Sequence, residues 1–174
     1  HDTCVRLEEP QPQMYEYAES IAELSNVTMV TNPSYTNIHS QDNYRGQDVL
    51  MYHGYSFDQL IDQVDGLRLA GGYEKAEEIH KFLLKRRHLS PTHNLNLTLP
   101  MKKDPHIIEK IPDIMVSGHI HKARIGNYKN TTSISGSCWQ STTAFQEKVG
   151  HKPEPGMIPI LNLKTRKANM LSFK

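Results

Sequence analysis

The stretch Asp113-Ile114-Met115-Val116-Ser117-Gly118-His119-Ile120-His121 decides how this chain is read. Its apolar run is short and continuous, the pattern of a strand buried on both faces, and Gly118 is expected to let the backbone turn tightly where the run stops. Side chains two apart on an extended segment point the same way, so the spacing predicts the His119 and His121 imidazoles on one side of the chain, just past the strand. A second run, Val49-Leu50-Met51-Tyr52, ends likewise at His53-Gly54-Tyr55-Ser56. An isolated H-x-H is more often two solvated loop histidines than a ligand pair. Two buried strands that both end in histidine reverse that weighting: His53, His119 and His121 are expected to converge at one sheet edge, where ligands of open α/β sheets bind.

Outward from these strands the chain reads as one α/β layer structure. Met14, Tyr17, Ala18, Ile21 and Leu24 keep helical spacing, and two short strands, 27–30 and 35–39, flank the turn at Asn32-Pro33. Ser56 and Gln59 form a capping-box pattern ahead of the stripe Phe57, Leu60, Ile61 and Val64. A helix is predicted from Tyr73 to about His88, its acids first and its bases last as the dipole favours. Thr131 to Ser137 reads as a strand, and 158–163 with 168–173 as a closing hairpin.

The chain has 174 residues, enough for one domain with a real core. Twenty Lys and Arg against nineteen Asp and Glu give a formal charge of +1, which excludes a whole-chain basic signature for nucleic acid, so any such surface is local. No apolar run approaches a membrane span, and Cys4 and Cys138 read as reduced thiols; both favour a soluble, cytoplasmic protein. The start, His1-Asp2-Thr3-Cys4, has no initiator Met and no signal-peptide pattern, and is expected to be an internal or processed beginning.

Several segments carry a resemblance. His1-Asp2 resembles the end of the G-N-H-D motif of calcineurin-like metallophosphoesterases, Tyr52 to Ser56 their single-histidine motif, and Gly118-His119-Ile120-His121 their G-H-x-H signature, in the family's order. Glu9-Pro10-Gln11-Pro12, Leu84 to Thr92, Gly136 to Gln146 and His151 to Gly156 are similar to the small, exonuclease subunits of archaeal D-family DNA polymerases. The resemblance implies that residues 1–174 are the C-terminal part of a single phosphoesterase domain, a β-sandwich flanked by helices. It also implies a metal-dependent 3′–5′ DNA exonuclease that proofreads, with DNA, a large catalytic subunit and a sliding clamp as partners and no membrane.

Two divalent ions are implied, Mn²⁺ ahead of Fe or Zn²⁺. His53 and His119 would ligate one and His121 the other, while His1 would act on the leaving oxygen with Asp2 orienting its ring. The remaining ligand motifs would lie upstream of His1, so the chain alone is expected to be inactive. The principal rival reading is a scaffold subunit of similar fold that has lost its ligands, and a third, which the polymerase-like segments disfavour, is a phosphomonoesterase or protein phosphatase of the same superfamily. His39, His80, His88, His93, His106 and His151 are expected to be structural or solvated. For Lys85-Arg86-Arg87, the helix dipole is favoured slightly over DNA phosphate, and for Trp139, a packed core or interface position over base stacking.

Overall fold

A computed structural model describes residues 7–13, 18–91, 95–148 and 150–173; His1, Asp2, Cys4 and His93 lie outside them. The elements in chain order are α1 (Glu19–Ala22), β1 (Ser34–Ile38), β2 (Gln47–Tyr52), α2 (Ser56–Gln63), α3 (Asp65–Leu69), a 3-10 turn (Gly72–Lys75), α4 (Ala76–Arg86), β3 (Ile114–Ser117), β4 (Arg124–Tyr128), β5 (Thr131–Ser135), α5 (Ala144–Lys148), β6 (Met157–Leu161) and β7 (Ala168–Ser172). Five strands form one mixed sheet in the order β1-β2-β3-β5-β4, and β6 and β7 form a separate hairpin.

The sheet is covered on both faces, which is why β2 and β3 read as continuous apolar runs. Alternate residues of β2 and β3 divide between the faces. Leu50, Tyr52 and Met115 pack with Phe57, Leu60 and Ile61 of α2 and with Ala76, Ile79, Leu83 and Leu84 of α4. Val49, Ile114 and Ile134 pack with Leu161 and Leu163 from the hairpin side. The α4 contacts fall at i, i+3, i+7 and i+8, one helical stripe. The result is α/β, with helices on one face of the mixed sheet and a β-hairpin on the other. Among the described residues, no helix is long and apolar enough to cross a membrane.

Parallel pairing sets three strand ends level. Tyr52 lies opposite Ser117, and Ser117 opposite Ser135. The Gly118 amide donates to the His53 carbonyl at 3.1 Å, and the Gly136 amide to the Ser117 carbonyl at 2.7 Å. The segments that follow β2, β3 and β5 therefore leave the sheet side by side.

Several local expectations change. The strand expected at 27–30 does not form, and the helix expected over 14–24 is reduced, within the described residues, to Glu19–Ala22, with Ile21 and Leu24 exposed. Ser56 is not the N-cap of α2: it lies inside the helix, and its hydroxyl donates to the Leu89 carbonyl at 2.6 Å. The helix expected from Tyr73 begins as a 3-10 turn and stops at Arg87, which is left-handed at φ 57°. Arg87 donates to the Ile108 and Glu109 carbonyls and Arg86 lies over the Phe82 ring, so these two cations are engaged within the fold. Trp139 is not a core residue: it is 73% exposed, beside an exposed Phe173.

Candidate metal centre

His53 and His119 meet at the level strand ends, His53 just past β2 and His119 two residues past β3. His53 Nε2 lies 3.3 Å from His119 Nδ1, with ring centroids 5.1 Å apart. Gly54 makes this approach possible at φ 113°, because a Cβ there would sit 2.9 Å from the Phe57 ring and 3.2 Å from the His119 Cβ. Burial, reinforced by the neighbouring His119 and His121, pushes the His53 pKa down to about 4, so its ring is neutral at pH 7.

The turn after β3 is not made as the sequence suggested. Gly118 has no left-handed φ; His119 at 68° and His121 at 53° take that conformation instead. Such backbone costs about 1–3 kcal/mol for a residue with a side chain and concentrates at functional sites. The two imidazoles also do not act as an extended i, i+2 pair, since each has its own partner. His119 Nε2 donates to Asp58 Oδ2 at 2.8 Å, and Asp58 Oδ1 accepts from the Tyr73 hydroxyl at 2.9 Å. That bond fixes the proton of a neutral His119 on Nε2 and turns the Nδ1 lone pair toward His53.

His121 is held by Gln146, whose Nε2 stands 3.0 Å from His121 Nδ1 while its Oε1 accepts from the Thr143 amide at 3.0 Å. Its pKa is lowered, by burial first and then by His151 and His119, which places those rings within electrostatic reach. The His151 ring lies 6.2 Å from His121 and 5.2 Å from Tyr73. The main chain after His121 is clamped from outside the sheet: the Glu154 amide donates to the His121 carbonyl at 2.9 Å, and buried Lys122 pairs with Glu74 at 2.5 Å. Two further histidines serve the fold. His80 is buried against Ser117 Oγ at 2.7 Å, and His106 is buried against Glu9.

The fit to a metal ion is partial. Two ligands each about 2.0–2.1 Å from one ion, at angles between 90° and tetrahedral, lie roughly 2.9–3.4 Å apart, and the 3.3 Å His53–His119 pair falls in that range. Among the described residues, no group of three or more His, Cys, Asp or Glu side chains is set to hold an ion. Because the Gln146 amide donates to Nδ1, ligation by either nitrogen of a neutral His121 requires that contact to change.

Sequence reading missed Asp58, Gln146 and His151. Asp58 reads as an ordinary first-turn acid of α2, and nothing local distinguishes it. His151 stands in the His151 to Gly156 segment that already carried a resemblance.

No family model matches the chain. Proteins described as DNA polymerase II small subunit do: one from Thermoplasma acidophilum is 35% identical over 174 residues, covering 99% of this chain and 33% of the relative. One from Methanocaldococcus jannaschii is 37% identical over 164 residues, covering 94% and 26% respectively. One from Archaeoglobus fulgidus is 38% identical over 161 residues, covering 92% and 30%. The chain thus spans about a third or less of the length of these curated relatives. Along nearly all of its own length, it is similar to one part of the archaeal DNA polymerase II small subunits, the resemblance its motifs carry.

Proposed function

We propose that the chain is the C-terminal portion of a calcineurin-like phosphoesterase domain in a DNA polymerase small subunit, and that the domain acts as a metal-dependent 3′–5′ DNA exonuclease. The observation that carries this reading is the His53–His119 pair, with nitrogens 3.3 Å apart and Asp58 on the far nitrogen of His119. A carboxylate behind a ligating histidine fixes the tautomer and raises the basicity of the ring. His53 and His119 would hold one divalent ion and His121 another, once the Gln146 amide releases it. Mn²⁺ suits imidazole with oxygen ligands, and Fe or Zn²⁺ are the alternatives. The chemistry that two such ions supply when bound is a water of lowered pKa and charge compensation for a phosphodiester. His1 would donate a proton to the leaving oxygen, oriented by Asp2. The partners on this reading are DNA, the large polymerase subunit and a sliding clamp.

The test is a nuclease assay on the full-length small subunit paired with its large subunit. Mn²⁺ should permit removal of nucleotides from a 3′ end, and a chelator should stop it. A paired, folded complex that leaves the 3′ end intact at every metal tried would favour the scaffold reading instead. Asp58→Ala in the same protein is expected to weaken Mn²⁺ binding by about 10–100-fold, the usual cost of losing the partner of a ligating histidine. Titration of the purified variant checks this, and unchanged affinity would show that Asp58 does not serve the site.

A further inference from the structure

We propose that Asn32 is a positioning residue for His53, holding it through a buried polar chain anchored on Glu9; the inference rests on His53 being a metal ligand. Glu9 is fully buried, and a carboxylate taken out of water is tolerated only when donors surround it. Four do. Glu9 Oε2 accepts from His106 Nε2 at 3.0 Å, from the Tyr52 hydroxyl at 3.2 Å and from Asn96 Nδ2, and Glu9 Oε1 accepts from Asn32 Nδ2 at 2.9 Å. Main-chain bonds fix Glu9 itself, its amide to the Leu97 carbonyl and its carbonyl from the Leu99 amide, both at 2.8 Å.

Asn32 converts this fixed point into a position for the site. Its Nδ2 also donates to Gln11 Oε1 at 2.9 Å, and its main chain pairs with Gln11 in both directions. With the amide nitrogen committed to Glu9 and Gln11, Oδ1 points the other way and accepts from the His53 amide at 2.7 Å. The carboxamide therefore fixes the main chain of His53 at the nitrogen that precedes its Cα. The Tyr52 hydroxyl, one residue earlier, ends on the same Glu9 carboxylate. His53 is thus tied to a buried anion from both its own amide and its preceding side chain. Two nitrogens that must share one ion tolerate little drift, because a displacement of about 1 Å from a productive geometry carries large costs.

The chemistry of the pair offers a test by exchange. In Asn32→Asp the acceptor for the His53 amide survives, but the donor to Glu9 becomes a second carboxylate. In the double variant Asn32→Asp with Glu9→Gln, shapes are kept and the roles are swapped. The new amide nitrogen at position 9 donates and the new carboxylate at position 32 accepts, both from it and from a Gln11 carboxamide turned end for end, while the oxygen left at position 9 still accepts from His106, Tyr52 and Asn96. The readout is Mn²⁺ affinity of the full-length small subunit, together with the visible spectrum of its Co²⁺ form, which reports ligand geometry. Leu83→Ala, at a buried α4 position outside the polar chain, serves as a control that lowers the melting temperature while removing none of the network's donors or acceptors.

Asn32→Asp is expected to weaken Mn²⁺ binding by about 10–100-fold and to alter the Co²⁺ spectrum, with the double variant recovering both and Leu83→Ala changing neither. Should Asn32→Asp not fold, Asn32→Ala takes its place: it removes the acceptor for the His53 amide, while Glu9 keeps three of its donors. Wild-type affinity and spectrum in a folded Asn32 variant, or no recovery in the double variant, would overturn the inference while leaving the proposed function standing. A wild-type protein that binds no Mn²⁺ would overturn both.

Discussion

If the proposed nuclease reading holds, His121→Ala in the full-length protein is expected to lower Mn²⁺-dependent turnover by more than about 100-fold, beyond what loss of an outer partner costs, while leaving assembly with the large subunit intact. The separation of the two effects follows from where the side chain sits. His121 is partly buried in the segment that follows β3, outside both core clusters, so its removal opens no cavity among the residues that hold the sheet. Its main chain is fixed independently through the Glu154 amide, and a truncated side chain leaves that bond in place. What disappears is an imidazole with lowered pKa, within electrostatic reach of His53 and His119. The assay runs degradation of a 3′-ended strand beside co-purification of the large subunit. Full nuclease activity in a folded, assembled variant would remove His121 from the site.

His1→Ala in the same protein should separate chemistry from metal binding. A group that protonates a leaving oxygen is needed in the transition state and not for ligation, so turnover should fall by about 10²–10⁴-fold, the typical general-acid contribution, with metal content unchanged. His1 and Asp2 lie outside the described residues, so their roles rest on the G-N-H-D resemblance. Metal analysis of the purified variant decides between the roles. If metal leaves together with activity, His1 is a ligand and the assignment must be exchanged.

What the sequence made legible is what periodicity and burial encode. β2, β3, the buried stripes of α2 and α4 and the β6–β7 hairpin are all segments whose local pattern agrees with their final surroundings. β4 was not legible, because Arg124-Ile125-Gly126-Asn127-Tyr128 has no strand-like run. Its glycine is needed for a contact: a Cβ at Gly126 would come within 2.6 Å of the Glu77 Cβ on α4. The strand expected at 27–30 shows the converse, β-prone residues that find no neighbour to pair with.

At the candidate site, the meeting of His53 and His119 could be anticipated from their places at strand ends. The partners of these two and of His121 could not, because Asn32, Asp58 and Gln146 reach them only through tertiary structure. The left-handed backbone of His119 and His121 was equally hidden, since Gly118 stood beside them as the residue better suited to it.

The level ends of β2 and β3 also bear on how such a site comes into being. Val49 pairs with Ile114 and Tyr52 with Ser117 only after the long intervening segment, including α2, α3 and α4, has closed into a parallel crossover. Closing a loop of that length precedes any reward from the contacts it makes, and parallel pairings of this kind form slowly. The His53–His119 pair is therefore absent from the unfolded ensemble and from any intermediate that lacks this register. A slip of one residue would move one histidine past the other by about 3.3 Å, a full strand rise. An ion held between them, as proposed, would read the register of the sheet, and by mass action it would favour the chains that have closed the crossover correctly.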